Sequence, residues 1–319
     1  MTAITRRMLL AGSAAAAVAI GPAFAAAPKA TVQGAGVYRT KLGDCQLTAL
    51  YDGLWPMKID EKFVRNADDA AVNKALAAAF LPPNVLPVSF TVLLVNTGSK
   101  LILIDAGTAG QIGDSAGFMM ANLAAAGIAP EAIDTILISH FHPDHIDGLK
   151  TKDGEKVFRN AEIVVPEPEW AYWMDDAEMT KASDRIKIYF RNARRIFGDI
   201  AKDVRRFKPG AEVALGITSI PAFGHTPGHT AFVIASRNQS MLVLSDAVRN
   251  PYLFARHPEW QPLFDMDGPL AVKTRKQMLD RAAADRILVE GYHFPFPACG
   301  HIARSGKGYE LVPAEWRPL

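Results

Sequence analysis

Three of the chain's eight histidines fall within six positions, in His140-Phe141-His142-Pro143-Asp144-His145. Imidazole nitrogen and carboxylate oxygen are the donors that hold zinc and related divalent ions. In an extended segment, positions 140, 142 and 144 point the same way, and Pro143 favours an extended residue before it. His145 then opens the following turn, so three imidazoles and one carboxylate converge at the end of a strand. Four donors in so small a volume could seed two adjacent ions rather than one. More donors occur downstream, each at the end of its own strand-like run. They lie in Gly224-His225-Thr226-Pro227-Gly228-His229, in Ser245-Asp246 and in Gly291-Tyr292-His293.

The elements that must position these groups are legible as alternating strand-like and helix-like segments with no obvious linker. Val37–Leu42 with Gln46–Tyr51, and Phe90–Val95 with Lys100–Ile104, read as two hairpins, β-branched and apolar with turn residues between them. An Ala/Met/Leu helix over Phe118–Ala126 follows, and strand Ile133–Ser139 leads directly into His140. The second half reads as strand Glu162–Val165 and helical stretches near Glu167–Met174 and Arg185–Ile200. Strands follow at Val213–Ile220, Ala231–Ala235 and Met241–Leu244. A helix over Ala271–Ala284 and strand Ile287–Glu290 close the pattern. Two strand-rich halves, each with its own helices, imply two sheets packed face to face with helices outside, an α/β class.

With His140, His142, Asp144, His145, a distant His225, Asp246 and a final His293 in this order, the chain resembles the metallo-β-lactamase superfamily over almost all of its length after residue 25. The resemblance implies an αββα sandwich with a two-metal site on its edge. It assigns His140, His142 and His225 to one ion and Asp144, His145 and His293 to the other, with Asp246 bridging. Asp144 is also the candidate to shuttle a proton. His225 rather than His229 matches the family's ligand, leaving His229 as a supporting or core residue. Asp105 resembles the aspartate that orients a ligand histidine. Two divalent ions about 3.5–4 Å apart can hold a hydroxide at neutral pH and stabilise attacking and leaving oxygens. Hydrolysis at a carbonyl or phosphoryl centre follows, without a serine or cysteine nucleophile. The metals implied are zinc, with manganese, iron or cobalt as alternatives.

Within the superfamily, a bridging aspartate like Asp246 accompanies lactonases, phosphotriesterases and thioesterases rather than β-lactam-cleaving enzymes. The flanks "VYRTKLGDCQLTALYDG", "LLVNTGSKLILIDAG" and "FGHTPGHTAFVI" are similar to the methyl parathion hydrolase branch. That similarity implies activity on phosphotriesters, lactones or aryl esters, and a homodimer. It also implies a pocket lined by Trp173 and Phe190; for Trp170 and Trp173, packing under the sheet is the competing reading. Ile112, where the branch carries an aromatic, and Asp147, where it carries a glycine, depart from the pattern. Tyr252 and Tyr292 are the nearest candidates for a general acid, and neither has the lactonase spacing. His257 and His301 match no motif position. A non-catalytic periplasmic metal-binding protein is the alternative of another class.

Thr5-Arg6-Arg7, an apolar run over Met8–Ile20 and Ala23-Phe24-Ala25 read as a twin-arginine export signal cut after Ala25. The expectation is a signal over 1–25 and one hydrolase domain over 26–319, periplasmic or secreted. The chain's 35 Lys+Arg stand against 33 Asp+Glu, and two of the arginines lie in the signal, so the rest is balanced. A nucleic-acid partner is not expected from such a balance. Cys45 and Cys299 allow one disulfide but no cysteine-based zinc knuckle.

Overall fold

A computed structural model describes residues 29–60, 62–317 and 319. The export signal lies outside the described residues. Ala35–Leu319 forms one compact unit; of the other, Met1–Gly34, only residues 29–34 are described.

The first sheet runs in chain order: β1 (Val37–Leu42), β2 (Cys45–Lys58), β3 (Val85–Asn96), β4 (Leu101–Ile104), β5 (Thr135–Leu137), β6 (Glu162–Pro166) and β7 (Val204–Phe207). The second runs in reverse order from β14 (Gly308–Pro313) through β13 (Cys299–Ser305), β12 (Leu288–Glu290), β11 (Gln239–Val243), β10 (Thr230–Ser236) and β9 (Ile217–Pro221) to β8 (Glu212–Ala214). Both sheets are mixed: β4 to β7 are parallel, as are β11 and β12, while the hairpins are antiparallel.

Strand alternation explains the layers. Ile102 and Ile104 of β4, with Leu137 of β5, face Met241 and Val243 of β11 in the core between the sheets. The intervening Leu103 and Ile136 face outward, under the helices α2 (Met119–Ala125) and α6 (Asp184–Phe197). On the other side, Leu242 and Val289 face α7 (Gly268–Asp285) through Met278, Leu279 and Ala282. The order is therefore helix, sheet, sheet, helix. Each fully buried Leu, Ile, Val or Phe contributes about 1.5–3 kcal/mol, so the period-2 pattern fixes which face of each strand is inside. The remaining helices are α1 (Asp69–Ala78), α3 (Pro143–Ile146), α4 (Glu167–Trp173) and α5 (Asp176–Lys181). No helix among the described residues is long and apolar enough to cross a membrane.

Several expected boundaries are corrected. β2 continues past Tyr51 to Lys58 across a bulge at Gly53, whose φ of 129° no residue with a side chain adopts easily. The run over 213–220 is two strands, broken at Gly216. The pattern does not close at Glu290, because the β13–β14 hairpin extends the second sheet. The segment His140–His145 is extended only as far as His142; Pro143 opens a helical turn, α3, that carries Asp144 and His145. Proline suits a first helical position because its missing N–H has no partner there anyway. Cys45 and Cys299 are both free thiols.

Candidate metal centre

Ligand-type side chains collect where the carboxyl ends of strands from both sheets meet. β4 leads into Asp105, β5 into His140, β9 into His225, β11 into Asp246 and β12 into His293. The seven expected residues form two adjoining groups: His140, His142, His225 and Asp246 in one, Asp144, His145 and His293 in the other. Within each, the donor atoms lie within 4.8 Å of one another. Asp246 faces both groups, with Oδ2 at 3.2 Å from His225 Nε2 and 3.1 Å from His293 Nε2, and Oδ1 at 3.3 Å from His145 Nε2. Asp144 Oδ2 lies 3.4 Å from both His145 Nε2 and His293 Nε2.

Those separations test whether a metal would fit. Donors about 2.0–2.2 Å from a common centre stand roughly 3.3–3.6 Å apart at tetrahedral angles, close to what these pairs show. His145 Nε2 and Asp246 Oδ1 are buried yet have no hydrogen-bond partner. A buried polar atom left without a partner costs about 1–3 kcal/mol, and a shared cation removes that cost. The residues present fit a pair of divalent ions.

The outer nitrogens are held by the protein, which sets the tautomers. Ser139 Oγ donates to Asp105 Oδ2 at 2.8 Å, so it accepts from His140 Nδ1 at 3.0 Å. His145 Nδ1 donates to Asp105 Oδ2 at 2.8 Å, and His293 Nδ1 donates to the Ser89 carbonyl at 2.8 Å. His225 Nδ1 donates to Asp265 Oδ1 at 3.0 Å, and Arg275 Nη2 donates to Asp265 Oδ2 at 2.7 Å. In the neutral state that a ligand requires, each of these four rings therefore turns Nε2 to the centre as its free donor. His142 differs: its Nδ1 faces inward, 3.0 Å from Nε2 of both His140 and His225. Asp105 holds a left-handed backbone, φ 62°, and so does Ser245 beside Asp246, φ 46°. Such conformations cost about 1–3 kcal/mol each and gather at functional sites.

Charge within the group is strongly biased. Burial opposes ionisation at Asp246, but the neighbouring His293 and His145 hold its carboxyl well below the usual range. Burial likewise disfavours a charged His145, yet Asp144, Asp105 and Asp246 hold it well above the ordinary imidazole value. Burial and the neighbouring imidazoles keep His140 and His142 well below it, and therefore neutral, as ligands must be.

His229 has a different task. Its Nδ1 donates to the Ala222 carbonyl at 3.0 Å, and its Nε2 accepts from the Asp246 backbone N–H at 3.1 Å. It fixes the loop that carries Asp246 and turns no donor to the centre. His301 bonds the Ile287 carbonyl on the second sheet, and His257 stacks on Trp260.

Above the centre lies a cavity of about 180 Å³ whose floor is His142, Asp144 and Asp246. Trp55, Val88, Phe90, Ile112 and Phe264 make the rest of its lining largely apolar, and Tyr189 and Arg249 add polar groups to it. Trp173 and Phe190 do not line it, which corrects that expectation. Both are fully buried: Phe190 packs on Trp173, whose indole N–H donates to Glu169 behind His142. Successive residues of a helix point about 100° apart, so Tyr189 meets the cavity while Phe190 meets the core. Tyr292 is no free acid, since its hydroxyl donates to the Asp144 carbonyl. Tyr252 is outside the cavity lining, and its backbone N–H is capped by Asn250. A larger cleft, about 730 Å³, opens at the amino ends of β11 and β12 beside Thr40 and Arg286, away from the seven donors.

Sequence reasoning missed several residues. Asp265 and Arg275 support His225 across a span with no motif. Glu169 is buried and accepts from Phe141 N, Thr226 Oγ1 and Gly228 N, tying together the two loops that carry His140, His142 and His225. Tyr189 and Arg249, both in the cavity lining, belong to no motif. A clue to Arg249 was its position three residues after Asp246.

The description "Metallo-beta-lactamase superfamily" fits residues 85–289. Among solved structures, the hydrolase AbOPH of the beta-lactamase superfamily is 30% identical, over 90% of this chain and 100% of its own, with a TM-score of 0.84. AidC, a dizinc quorum-quenching lactonase in complex with a product, N-hexanoyl-L-homoserine, is 26% identical over 89% of this chain and 99% of its own, with a TM-score of 0.83. A probable metal-dependent hydrolase from Staphylococcus aureus, 21% identical over 86% of this chain and 100% of its own, shares the fold at a TM-score of 0.71. The chain belongs to the metallo-β-lactamase superfamily, and it is a metal-dependent hydrolase of that fold.

Proposed function

We propose that this protein hydrolyses lactones and activated carboxylic esters with a dinuclear, His/Asp-held metal centre, zinc being the leading candidate for both ions. One observation carries the reading: seven donors form two adjoining groups, and three of them, His142, Asp144 and Asp246, open onto a cavity that can take a small molecule. AidC, a dizinc lactonase similar over nearly the whole chain, supports the lactone class.

His140, His142 and His225 would hold one ion, Asp144, His145 and His293 the other, and Asp246 would bridge them. When bound, such a pair supplies an activated water and a Lewis acid for the carbonyl oxygen. The chain's own residues do the rest. Asp105, Ser139, Asp265 and the Ser89 carbonyl hold four imidazoles in one orientation. Asp144 is the least buried of the seven, with its side chain 14% exposed, so its carboxylate is placed to take a proton and pass it on to the leaving oxygen. The apolar wall of Trp55, Val88, Phe90 and Ile112 takes the substrate's hydrocarbon part and excludes water. Tyr189 and Arg249 are the polar donors in the same lining.

A phosphotriester reading stands second. It draws on the flanks similar to the methyl parathion hydrolase branch and on the apolar wall, which suits neutral triesters. A panel of a homoserine lactone, an aryl acetate and an aryl dialkyl phosphate, offered to metal-replete protein, separates the classes. Lactone or ester turnover that disappears in Asp246→Ala is expected, and no turnover of any member would sink the hydrolase reading. We also propose export by a signal over residues 1–25; a mature protein whose amino-terminal sequencing starts at Met1 would refute it.

A further inference from the structure

We propose that Arg249 is a specificity residue, and that the substrates it favours are esters or lactones carrying a second carboxylate beyond the scissile carbonyl. The proposal rests on the hydrolase reading above and names its substrate class.

Arg249 is nearly buried, with its side chain 11% exposed, in a cavity otherwise walled largely by apolar side chains. The guanidinium lies over the Phe264 ring with its carbon 4.3 Å from the centroid. It makes one ion-pair contact, Nε to Asp246 Oδ2 at 3.4 Å. Among the described residues, Asp246 is the one acidic side chain paired with it, and that contact engages Nε at the side of the fork.

A guanidinium carries five N–H donors in a rigid fork that matches a carboxylate two bonds at a time. A substituent without oxygen, placed against it, displaces water and returns no acceptor. A carboxylate there gains a charge-assisted pair in an environment poor in water. The charge of the floor points the same way. The seven donors bring two carboxylates, Asp144 and Asp246, so two divalent ions would leave the floor positive, and Arg249 adds to that field. A site whose donors need an acceptor rejects the analogue lacking one more strongly than an apolar pocket rejects a size change.

The competing role for Arg249 is to neutralise Asp246 alone, which would affect every substrate equally. Two esters separate the roles: 4-nitrophenyl hemiglutarate and 4-nitrophenyl valerate. They share a leaving group and chain length and differ by a terminal carboxylate. We expect the protein to favour the hemiglutarate about tenfold or more in kcat/KM. Arg249→Met should bring the ratio close to one, and Arg249→Lys, which keeps the cation without the fork, should retain part of the preference. If Arg249→Met does not fold, as judged by thermal melting, the lysine variant carries the comparison. A second arm needs no turnover: calorimetric titration of glutarate into metal-replete protein, with and without Arg249→Met.

A wild-type ratio near one, or a ratio unchanged in the variants, overturns the proposal. Arg249-dependent glutarate binding in a protein that cleaves neither ester would sink the hydrolase reading and leave the anion site standing. Turnover of both esters with equal ratios and Arg249-independent glutarate binding would do the reverse.

Discussion

The floor of the cavity and its walls are built in opposite ways. On the floor, four of the five ligand-type imidazoles have the outer nitrogen tied to a hydroxyl, carbonyl or carboxylate, and six of the seven donors are buried. The walls come from segments far apart in the chain: the end of β2, the loop with Ile112, the helix α6 and the loops after β11 and before α7. They are held by packing, with few polar ties. The floor sets the type of reaction, and the walls set what is admitted to it. Changes to the floor should therefore depress all substrates together, whereas changes to the walls should alter ratios between substrates.

The largest effect is expected at the residue shared by both groups. Asp246→Asn removes the charge that faces both. It should lower kcat/KM on the order of 10³-fold, since metal charge stabilisation is worth several kcal/mol and each 1.36 kcal/mol is tenfold. Metal content by mass spectrometry should fall with it. Retention of two ions at full turnover would remove Asp246 from the bridging position.

One step back from the donors, Asp265→Ala should weaken metal affinity about 10–100-fold through His225 while leaving substrate ranking unchanged. The cost appears as earlier metal loss in a chelator titration. A changed ranking at constant affinity would place Asp265 with the walls and blur the division.

Adjacent residues on α6 give the sharpest contrast. Tyr189→Leu should shift ester-against-lactone ratios several-fold, about 1 kcal/mol and the low end of what pocket contacts discriminate, with little change in stability. Phe190→Leu should do the opposite, lowering stability by about 1–3 kcal/mol by leaving a gap beside Trp173, with ratios intact. Equal ratio changes in both would mean that the wall reaches deeper than Tyr189.

The smallest effect concerns pH. Burial, with a contribution from His225, holds His229 down to about 3. Its folded value lies below that of an unfolded imidazole, about 6.5, so the unfolded chain binds the extra proton. Stability from this residue is therefore present above about 6.5 and lost as pH falls towards 3. His229→Gln, with no proton to take up, should be less stable than wild type near pH 7.5, and the gap should narrow in more acid urea titrations. Parallel curves from pH 7.5 to 4.5 would contradict this assignment.

The same division explains what the sequence disclosed. The seven donor candidates could be singled out because metal chemistry limits donors to a few residue types, and the family resemblance chose among them, taking His225 over His229. The sheets were legible where apolar alternation was strong, as in β3, β4 and β11. β2 beyond Gly53 was not, because Gly53-Leu54-Trp55-Pro56 reads as a turn until its bulge is seen. The β13–β14 hairpin was hidden by its charged, exposed residues. The walls were opaque for a further reason. Whether Tyr189 or Phe190 faces the cavity depends on the rotation of one helix, and Arg249 acquires meaning only once Phe264 and Asp246 are seen beside it. Asp265 lies 40 residues from His225 and meets it only in the fold.

The most direct test of the central claim is a metal titration of stripped protein, following bound metal and lactone or ester turnover together. The expected result is two equivalents of divalent ion per chain, with turnover rising until the second is bound and lost again on chelation. Full turnover with no metal, or saturation at one equivalent with His145→Ala unaffected, would contradict a dinuclear centre built from these seven side chains.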